Sequence, residues 1–323
     1  MAEVFDKKRI RKVFRNVQKH RLIEQLIRQF STNKEDIRKN ALLPADISSC
    51  QNILELGCAF GSFTESLKGR LHPEARINGW DIVPEYKPFF LEACKRAGYE
   101  GTFSSSGVNK IKKYPAHSFD LVICSFALYF FADMIPEIAR VLKKDGKFIT
   151  ITHCQSNMRE LIAITRSILE QNHGYEPQSK LRGIIPSATR DCSPYQSRRA
   201  AHTVLEFHNK LLAENEPLPI EVIIRQFSAE NGRELLNKNF GQIISIDFKN
   251  TLIFQPHEIN FFIEYFHFKS PFFLIGTKTD SNIITTQLVH KLQGIAAKEK
   301  VINMCKDDRI FICSDPFPTK EQT

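Results

Sequence analysis

The first residues that could do chemistry are a carboxylate and two glycines placed close together. A short apolar run, 53–56, carries Glu55 and leads directly into Gly57. Gly61 follows four residues later and precedes 63–67, a segment that can begin a helix. Glycine tolerates positive φ and lets the backbone approach a ligand, and the first N–H groups of a helix lack intrahelical partners. This succession of strand, turn and helix predicts a site for a nucleotide-like ligand.

A second carboxylate strengthens that prediction through its position. Asp81 ends the apolar run 77–80 and lies 20 residues beyond Gly61. At about this distance from the glycine turn, βαβ units that bind dinucleotides place an acidic side chain on the ribose hydroxyls. Two glycines in a loop are more often plain turn residues, and it is the spacing of Asp81 that favours a ligand. The full three-glycine dinucleotide pattern is absent, because Ala59 occupies its middle position.

With an acidic residue ahead of three alternating glycine positions, the turn resembles motif I of the class I S-adenosylmethionine-dependent methyltransferases. The matching residues are Glu55, Gly57, Ala59 and Gly61. Segments 119–125 and 140–148 are similar to that family's fourth strand and to the turn into its fifth strand. The resemblance covers residues 50–154 closely and the remainder of the chain in outline.

The resemblance implies S-adenosylmethionine as the cofactor and gives roles to the residues of the motif. Glu55 would hold the amino-acid end of the cofactor, and Asp81, with Ile82 beside it, would take the ribose. The turn residues that would line the cofactor are Gly57, Cys58, Ala59 and Gly61. Cys58 would make its contact through the backbone and is not proposed as a nucleophile.

Recognition of adenine is where the chain departs from the family pattern. Relatives usually have an acidic residue after the third strand that contacts the adenine amino group, whereas the run 101–113 contains no acid. Backbone or side-chain contacts from Ser105, Ser106 or Val108 would have to substitute. Ser125, at the end of the fourth predicted strand, completes the expected cofactor-binding set.

Methyl transfer from a sulfonium needs alignment and exclusion of water, and a base helps where the acceptor is a hydroxyl or a protonated amine. His153, at the end of the fifth predicted strand, is the best-placed candidate. The alternative, a partly buried histidine with satisfied hydrogen bonds, stays open. Tyr129 is expected either to cover the cofactor or acceptor pocket, or to belong to the core with its phenylalanine neighbours.

Strands and helices alternate over residues 46–154, which is typical of a parallel sheet with helices on both faces. The predicted strands are 52–56, 77–81, 121–125 and 147–152, and the predicted helices are 63–70, 85–97 and 133–142. With the family's third strand ahead of the run 101–113, strands at 242–248 and 308–313 would complete a Rossmann-like seven-stranded α/β sheet, the last pair being antiparallel. Ligands of such sheets bind beyond the C-terminal strand ends, near the point where strand order reverses.

Four parts of the chain are expected from these patterns. They are an N-terminal helical arm (1–45), the cofactor-binding half of the core (46–154), a helical substrate lid (155–235) and the C-terminal half of the core (236–323). Apolar helical faces at 158–169 and 204–211 would roof a substrate pocket. Asn157 is expected to cap the first lid helix, and Pro271 to end a helix that begins near residue 259.

The charge of the chain is concentrated in the arm. The formal net charge is +9, and residues 1–40 hold twelve Lys or Arg against five Asp or Glu. Such an arm can follow nucleic acid, dock on an acidic partner or be a solvated helix face, and the last reading is favoured. Its opening, 6–14, is similar to the start of the malonyl carrier-protein methyltransferases, in which N-terminal helices close over the cofactor.

These observations favour a methyltransferase that acts on a small-molecule or carrier-tethered apolar metabolite. An RNA or protein methyltransferase that uses the arm, a nicotinamide-dependent oxidoreductase, and a binding subunit with a degenerate fold remain as alternatives. The eight cysteines include no Cys-x-x-Cys pair, and no metal site is expected. A cytoplasmic location is expected, since no run of 18 apolar residues and no signal segment is present.

Overall fold

The computed structural model describes residues 7–172, 217–275, 277 and 279–317. A seven-stranded sheet forms its centre, in the order β3-β2-β1-β4-β5-β9-β6. The strands of the chain are β1 (Asn52–Leu56), β2 (Arg76–Trp80), β3 (Glu100–Ser104), β4 (Phe119–Ser125), β5 (Leu142–His153), β6 (Phe240–Phe248), β7 (Thr251–Phe254), β8 (Ile302–Cys305) and β9 (Asp308–Pro316). Strands β1 to β5 pair in parallel, and β9 runs antiparallel to both β5 and β6.

Helices cover both faces of the sheet, which confirms the predicted fold class. They are α1 (Lys7–Phe14), α2 (Val17–Phe30), α3 (Ile37–Leu42), α4 (Ser62–Ser66), α5 (Lys87–Ala97), α6 (Ile135–Val141), α7 (Arg159–Gln171), α8 (Pro219–Gln226), α9 (Gly232–Asn237), α10 (Ile259–Phe273) and α11 (Ser281–Glu299). Successive strand side chains point to opposite faces, and alternate residues of β1 and β4 therefore enter two separate apolar cores. Ile53 and Ile123 belong to one core, and Leu54 and Val122 to the other.

The described part of the N-terminal arm, 7–45, contains three helices, α1, α2 and α3, and a break separates the first two. The break lies at Asn16, whose side-chain Oδ1 accepts a hydrogen bond from the backbone N–H of Lys19 at 3.0 Å and so caps α2. Helix α2 buries Ile23 and Phe30, and the ring of Phe30 lies 4.5 Å from that of Phe254 in β7. The arm is thereby packed against the C-terminal part of the chain.

The connection between β6 and β9 contains the small antiparallel β7–β8 sheet together with α10 and α11. The prediction that Pro271 ends the helix is wrong, because α10 continues through it to Phe273. Proline has no N–H to donate to the carbonyl of His267 four residues earlier. The hydroxyl of Ser270 donates to that carbonyl at 3.0 Å instead, which replaces the missing hydrogen bond.

The described parts of the predicted lid pack into the core. Helix α7 buries Leu161 and Leu169, while residues 173–216, including the apolar face predicted at 204–211, lie outside the described residues. Asn157 does not cap α7, since Met158 occupies the cap position with a φ of 61°. Within the described residues no helix is long and apolar enough to cross a membrane.

Candidate functional site

A cavity of about 820 Å³ opens at the C-terminal ends of the parallel strands, where strand order reverses between β1 and β4. Eleven of the twelve predicted site residues line it. They are Glu55, Gly57, Cys58, Ala59, Asp81, Ile82, Ser106, Val108, Ser125, Tyr129 and His153. The cavity therefore brings the two carboxylates, the turn and the histidine into one place, as the strand-end argument predicts. The exception is Gly61.

Gly57 and Ala59 set the shape of the turn. Both have positive φ, 70° and 42° respectively. A Cβ on Gly57 would lie 2.7 Å from the Cβ of Ala127, so that only glycine fits there. The N–H groups of Gly57 and Cys58 donate to the carbonyl of Trp80 at 2.7 and 3.2 Å, which ties the turn to the end of β2.

Gly61 packs against a neighbouring helix and is not among the residues that line the cavity, so its contact with the cofactor stays a prediction. Its φ is 74°, and an added Cβ would lie 2.6 Å from the Cβ of Ala93 and 3.3 Å from the ring of Phe90. Both neighbours belong to α5. A side chain at this position would therefore push α4 away from α5 and would not enter the cavity.

Glu55 is a buried carboxylate that lines the cavity and is held by Thr64. The hydroxyl of Thr64 in α4 donates to its Oε2, and the backbone N–H of Thr64 also donates to the carboxylate. Burial raises the pKa of Glu55 to about 7, against the opposing effect of the Thr64 hydrogen bond and of Arg38. A cationic ligand group beside the side chain would favour the ionised carboxylate.

Asp81 is held by backbone hydrogen bonds from both sides. Its Oδ2 accepts from the N–H of Ala59 at 3.1 Å and its Oδ1 from the N–H of Val83 at 2.9 Å. Burial raises the pKa of Asp81 to about 6, and the backbone bonds oppose that rise. Each carboxylate oxygen keeps a further lone pair, so that the side chain can still accept from the two hydroxyls of a ribose.

The region predicted to face adenine lies along the same cavity without any acidic side chain. Ser106 and Val108 line it, and Asn109, which sequence reasoning did not single out, lines it beside them. Ser105 is not among the lining residues. Ser125 closes the end of β4, next to the glycine turn.

The arm and α10 supply the wall opposite the glycine turn. Phe14 and His20 line the cavity from the arm, and Phe268 lines it from α10. The imidazole of His20 stacks on Phe268 at 5.4 Å and its Nδ1 lies 2.6 Å from the hydroxyl of Tyr86. Burial, and then the charge of Lys269, lower the pKa of His20 to about 3, which keeps it neutral.

His153 is oriented by a carboxylate on the neighbouring strand. The antiparallel register of β5 and β9 sets it directly opposite Asp308, and its Nδ1 lies 2.6 Å from Oδ1 of that residue. The amide Nδ2 of Asn157 lies 3.1 Å from the same Nδ1. With Nδ1 engaged, Nε2 has no hydrogen-bond partner in the described part of the chain. Burial, followed by the charge of Lys306, lowers the pKa of His153 to about 4.

Tyr129 is a buried wall residue beside His153. The two rings stack with centroids 5.7 Å apart, and burial raises the pKa of Tyr129 far above its ordinary value. The phenol therefore stays protonated and cannot act as a base near neutral pH. Its ring lines the cavity and also belongs to the apolar core, so both expected roles stay predictions.

Sequence reasoning missed charged residues of the cavity, including three that lie near His153. Lys269 on α10, Lys306 in the turn before β9, and Asp308 at the start of β9 all line the cavity near His153. One signal was present for Lys269, an isolated cation in the phenylalanine-rich run 261–273. The other two reach the site only through the pairing of β9 with β5.

Among the described residues, none of the predicted lid, 155–235, lines the cavity. The apolar face at 158–169 packs inward on the core, which differs from its expected place over the pocket. The arm and α10 hold that place instead. The lid role stays a prediction for the remainder of the segment.

Comparison with known proteins agrees with the motif. Residues 54–150 match the family model of a methyltransferase domain. The uncharacterized methyltransferase YcgJ of Bacillus subtilis (strain 168) is 31% identical over 78 residues, which are 23% of this chain and 31% of that protein. The aligned segment thus spans about a third of the curated relative.

The solved structures to which the chain is similar are more distant in sequence. The crystal structure of YcgJ from Bacillus subtilis is 16% identical, with a TM-score of 0.44 over 86% of this chain and 96% of that one. Phosphoethanolamine N-methyltransferase 2 of Haemonchus contortus, in complex with phosphomonomethylethanolamine and S-adenosylhomocysteine, is 14% identical, with a TM-score of 0.41 over 88% of this chain and 53% of that one.

The matched segment contains β1 to β4, the glycine turn and Asp81, and the strand order around it reverses at the cavity. Motif, topology and family model coincide on the same residues. Residues 54–150 therefore match a methyltransferase domain, and they contain the residues that resemble motif I of the class I S-adenosylmethionine-dependent methyltransferases.

Proposed function

We propose that this protein binds S-adenosylmethionine through Glu55, the glycine turn and Asp81, and transfers its methyl group to a small-molecule or carrier-tethered metabolite. The observation that carries the proposal is a single cavity that joins these cofactor residues to His153, a histidine from a separate strand. A site for cofactor alone would need no such second group.

The residues present fit the cofactor. The carboxylate of Glu55, which lines the cavity, suits the ammonium of an amino acid, and the remaining lone pairs of Asp81 suit a ribose diol. Bound there, the cofactor would supply an electrophilic methyl group on a sulfonium, from which a thioether departs. Its adenine would extend toward Ser106, Val108 and Asn109, where hydrogen bonds from serine, amide and backbone groups take the place of the usual acid.

The chain's own part in the reaction is to align the acceptor, exclude water and receive a proton. The aromatic walls Phe14, Tyr129 and Phe268 keep the reacting region dry. His153 is neutral at pH 7 and can accept the acceptor's proton on Nε2, while Asp308 fixes Nδ1–H and stabilises the imidazolium that results. This arrangement serves oxygen or nitrogen acceptors that must lose a proton.

The size and charge of the cavity favour a small acceptor over RNA. Ligand pockets typically measure about 300–1,000 Å³, and this cavity lies in the upper part of that range, enough for a nucleoside cofactor beside a small acceptor. In the arm, Lys7, Arg11 and Lys12 are exposed, while Val13 is buried. Arg11 and Lys12 therefore lie on a solvated face of α1, whereas Lys7 also lines the cavity.

The proposal is tested by labelling. The protein is incubated with methyl-labelled S-adenosylmethionine and a cell extract separated into small molecules, acidic carrier proteins and RNA. We expect label in the small-molecule or carrier fraction. The label should be lost with the Asp81→Asn protein and kept with the Asp145→Asn protein. Asp145 is an exposed carboxylate at the opposite end of β5. Label confined to RNA would contradict the proposed substrate class.

A further inference from the structure

Two lysines lie in the part of the cavity that the cofactor residues do not use. Lys306 is almost fully buried, and its Nζ lies 3.4 Å from Nδ1 of His153 and 3.8 Å from Oδ1 of Asp308. Lys269 lines the cavity from α10, one residue after the aromatic wall residue Phe268. We call Lys269, Lys306, Asp308 and His153 the lysine cluster.

Lys306 and Lys269 differ in whether a carboxylate lies close enough to pair with the ammonium group. Lys306 has the carboxylate of Asp308 within ion-pair distance. Lys269 makes no hydrogen bond or ion pair with any of the described residues, and its nearest recorded partner is the ring of Phe268, 5.6 Å from Nζ. Burial, and then the charge of Lys306, lower the pKa of Lys269 to about 7, as expected of an ammonium that lacks a counterion.

The charges of the lysine cluster do not balance. When Lys269 is protonated, two ammonium groups face the single carboxylate of Asp308, because His153 and the nearby His20 are neutral at pH 7. Asp308 is also the one carboxylate whose charge acts appreciably on Lys269 within the described chain. Buried or partly buried charges in proteins are normally paired, and an unpaired ammonium that lines a ligand cavity is a place for a ligand anion.

We propose that the methyl acceptor carries an oxyanion, a carboxylate or a phosphate, which Lys269 binds with help from Lys306 while the reacting atom faces His153. This inference rests on the proposed function, since it names the chemical class of its acceptor. It differs from the sequence-based expectation of an apolar metabolite by giving the acceptor one charged group. The aromatic walls would contact the apolar body of the acceptor, and the lysine cluster its charged end.

The binding of an anion would raise the pKa of His153, the proposed base. Lys306 and Lys269 both lower the pKa of His153, and a bound anion opposes that effect. The imidazole therefore becomes a stronger base when an acceptor of this class is present. Protonation of Lys269 on binding also means that the protein takes up protons near pH 7.

The test uses small aromatic anions as probes on the full-length protein. Benzoate and phenyl phosphate are titrated by calorimetry, with benzamide and benzyl alcohol as neutral controls of similar shape. We expect at least one anion to bind ten times more tightly than the neutral probes, with uptake of protons when two buffers of different ionisation enthalpy are compared at pH 7.5. Which anion binds more tightly distinguishes carboxylate from phosphate.

Variants identify the site. Lys269→Met should weaken binding of the anion at least tenfold, Lys269→Arg should retain most of it, and Lys298→Met should leave it unchanged, since Lys298 is an exposed residue of α11. Equal affinity for charged and neutral probes, or an equal loss in the Lys298→Met protein, would overturn the inference. S-adenosylmethionine is titrated in parallel. If the wild-type protein binds the anion and not this cofactor, the anion site stands and the proposed function fails.

Discussion

Nδ1 of His153 lies 2.6 Å from Oδ1 of Asp308, although the two residues are 155 positions apart in the chain. Their contact is made by the antiparallel register of β5 and β9, which sets the two side chains directly opposite each other. A carboxylate in this position selects the tautomer with the proton on Nδ1 and leaves the lone pair of Nε2 toward the cavity.

This relationship predicts distinct effects of two substitutions. His153→Gln should lower the rate of methyl transfer to a hydroxyl or ammonium acceptor by about 10²–10⁴-fold, the usual contribution of a positioned base. Asp308→Asn should lower the rate by less and mix the tautomers of His153, which ¹⁵N NMR of the imidazole reports without any substrate. Asp247→Asn, an exposed carboxylate paired with Arg309, is the control. An unchanged tautomer in the Asp308→Asn protein would contradict the orienting role.

The packing of Gly61 predicts that replacing it lowers the stability of the protein without a selective loss of cofactor affinity. Gly61→Ala and Gly69→Ala both place alanine at positive φ, 74° and 68°, which costs about 1–2 kcal/mol. Only Gly61→Ala also meets the side chain of Ala93, and overpacking of this kind adds about 1–3 kcal/mol. In denaturant unfolding, the free energy of unfolding should be clearly lower for the Gly61→Ala protein than for the Gly69→Ala protein. Equal losses in the two proteins would mean that α4 and α5 are not packed as described.

Glu55 predicts that cofactor affinity depends on pH. The ionised carboxylate binds the ammonium of the cofactor, and its pKa in the empty protein is about 7. Affinity should therefore fall as pH decreases from 8 to 6, approaching about tenfold per pH unit below the pKa. In the Glu55→Gln protein, affinity should be low and its pH dependence in this range much smaller. A wild-type affinity that stays flat between pH 6 and 8 would exclude this role for Glu55.

The same carboxylate predicts how the stability of the empty protein changes with pH. The folded pKa of Glu55 is raised above the ordinary value of 4.5, so that the folded state binds more protons and stability from this group falls as pH rises from 4.5 to 7. Replacing it with Gln should stabilise the empty protein at pH 8 by up to about 3 kcal/mol. Urea unfolding at pH 4 and pH 8 measures this directly, and a destabilised Glu55→Gln protein at pH 8 would contradict it.

The proline inside α10 predicts that substitutions of Ser270 and Pro271 have non-additive effects on the stability of the protein. Ser270→Ala should cost about 1 kcal/mol, because the carbonyl of His267 then loses the hydroxyl that replaces the missing N–H of Pro271. In a Pro271→Ala background the helix can supply that N–H, and Ser270→Ala should become nearly neutral. A double-mutant cycle by denaturant unfolding tests this, and strictly additive losses would show that the Ser270 hydroxyl has no such role.

The sequence predicted the parts of the site that depend on local pattern. The bounds of β1, the turn that contains Gly57, and Asp81 at the end of β2 all follow from short-range spacing. Lys306 and Asp308 are different, because they enter the cavity only through strand pairing across the connection from β6 to β9. That connection has no counterpart in the motif, and its place beside the arm depends on contacts such as Phe30 with Phe254.

The described fold also changes which part of the chain is expected to cover the site. Only Val13 of α1 is buried, whereas α2 is fixed by Ile23, Leu26 and Phe30. We therefore expect hydrogen exchange in α1 to slow on cofactor binding, while α2 is protected already in the empty protein. Equal protection of both helices without cofactor would make the arm a fixed wall.

The most direct test of the central claim is calorimetric titration of the purified protein with S-adenosylmethionine and with NADH at pH 8. The account predicts one S-adenosylmethionine site per chain and no NADH binding. It also predicts that Glu55→Gln and Asp81→Asn each weaken binding by about 1–3 kcal/mol, the cost of leaving a buried polar group of the ligand unpaired, while Asp145→Asn does not. Tight binding of NADH with no response to S-adenosylmethionine would contradict the account.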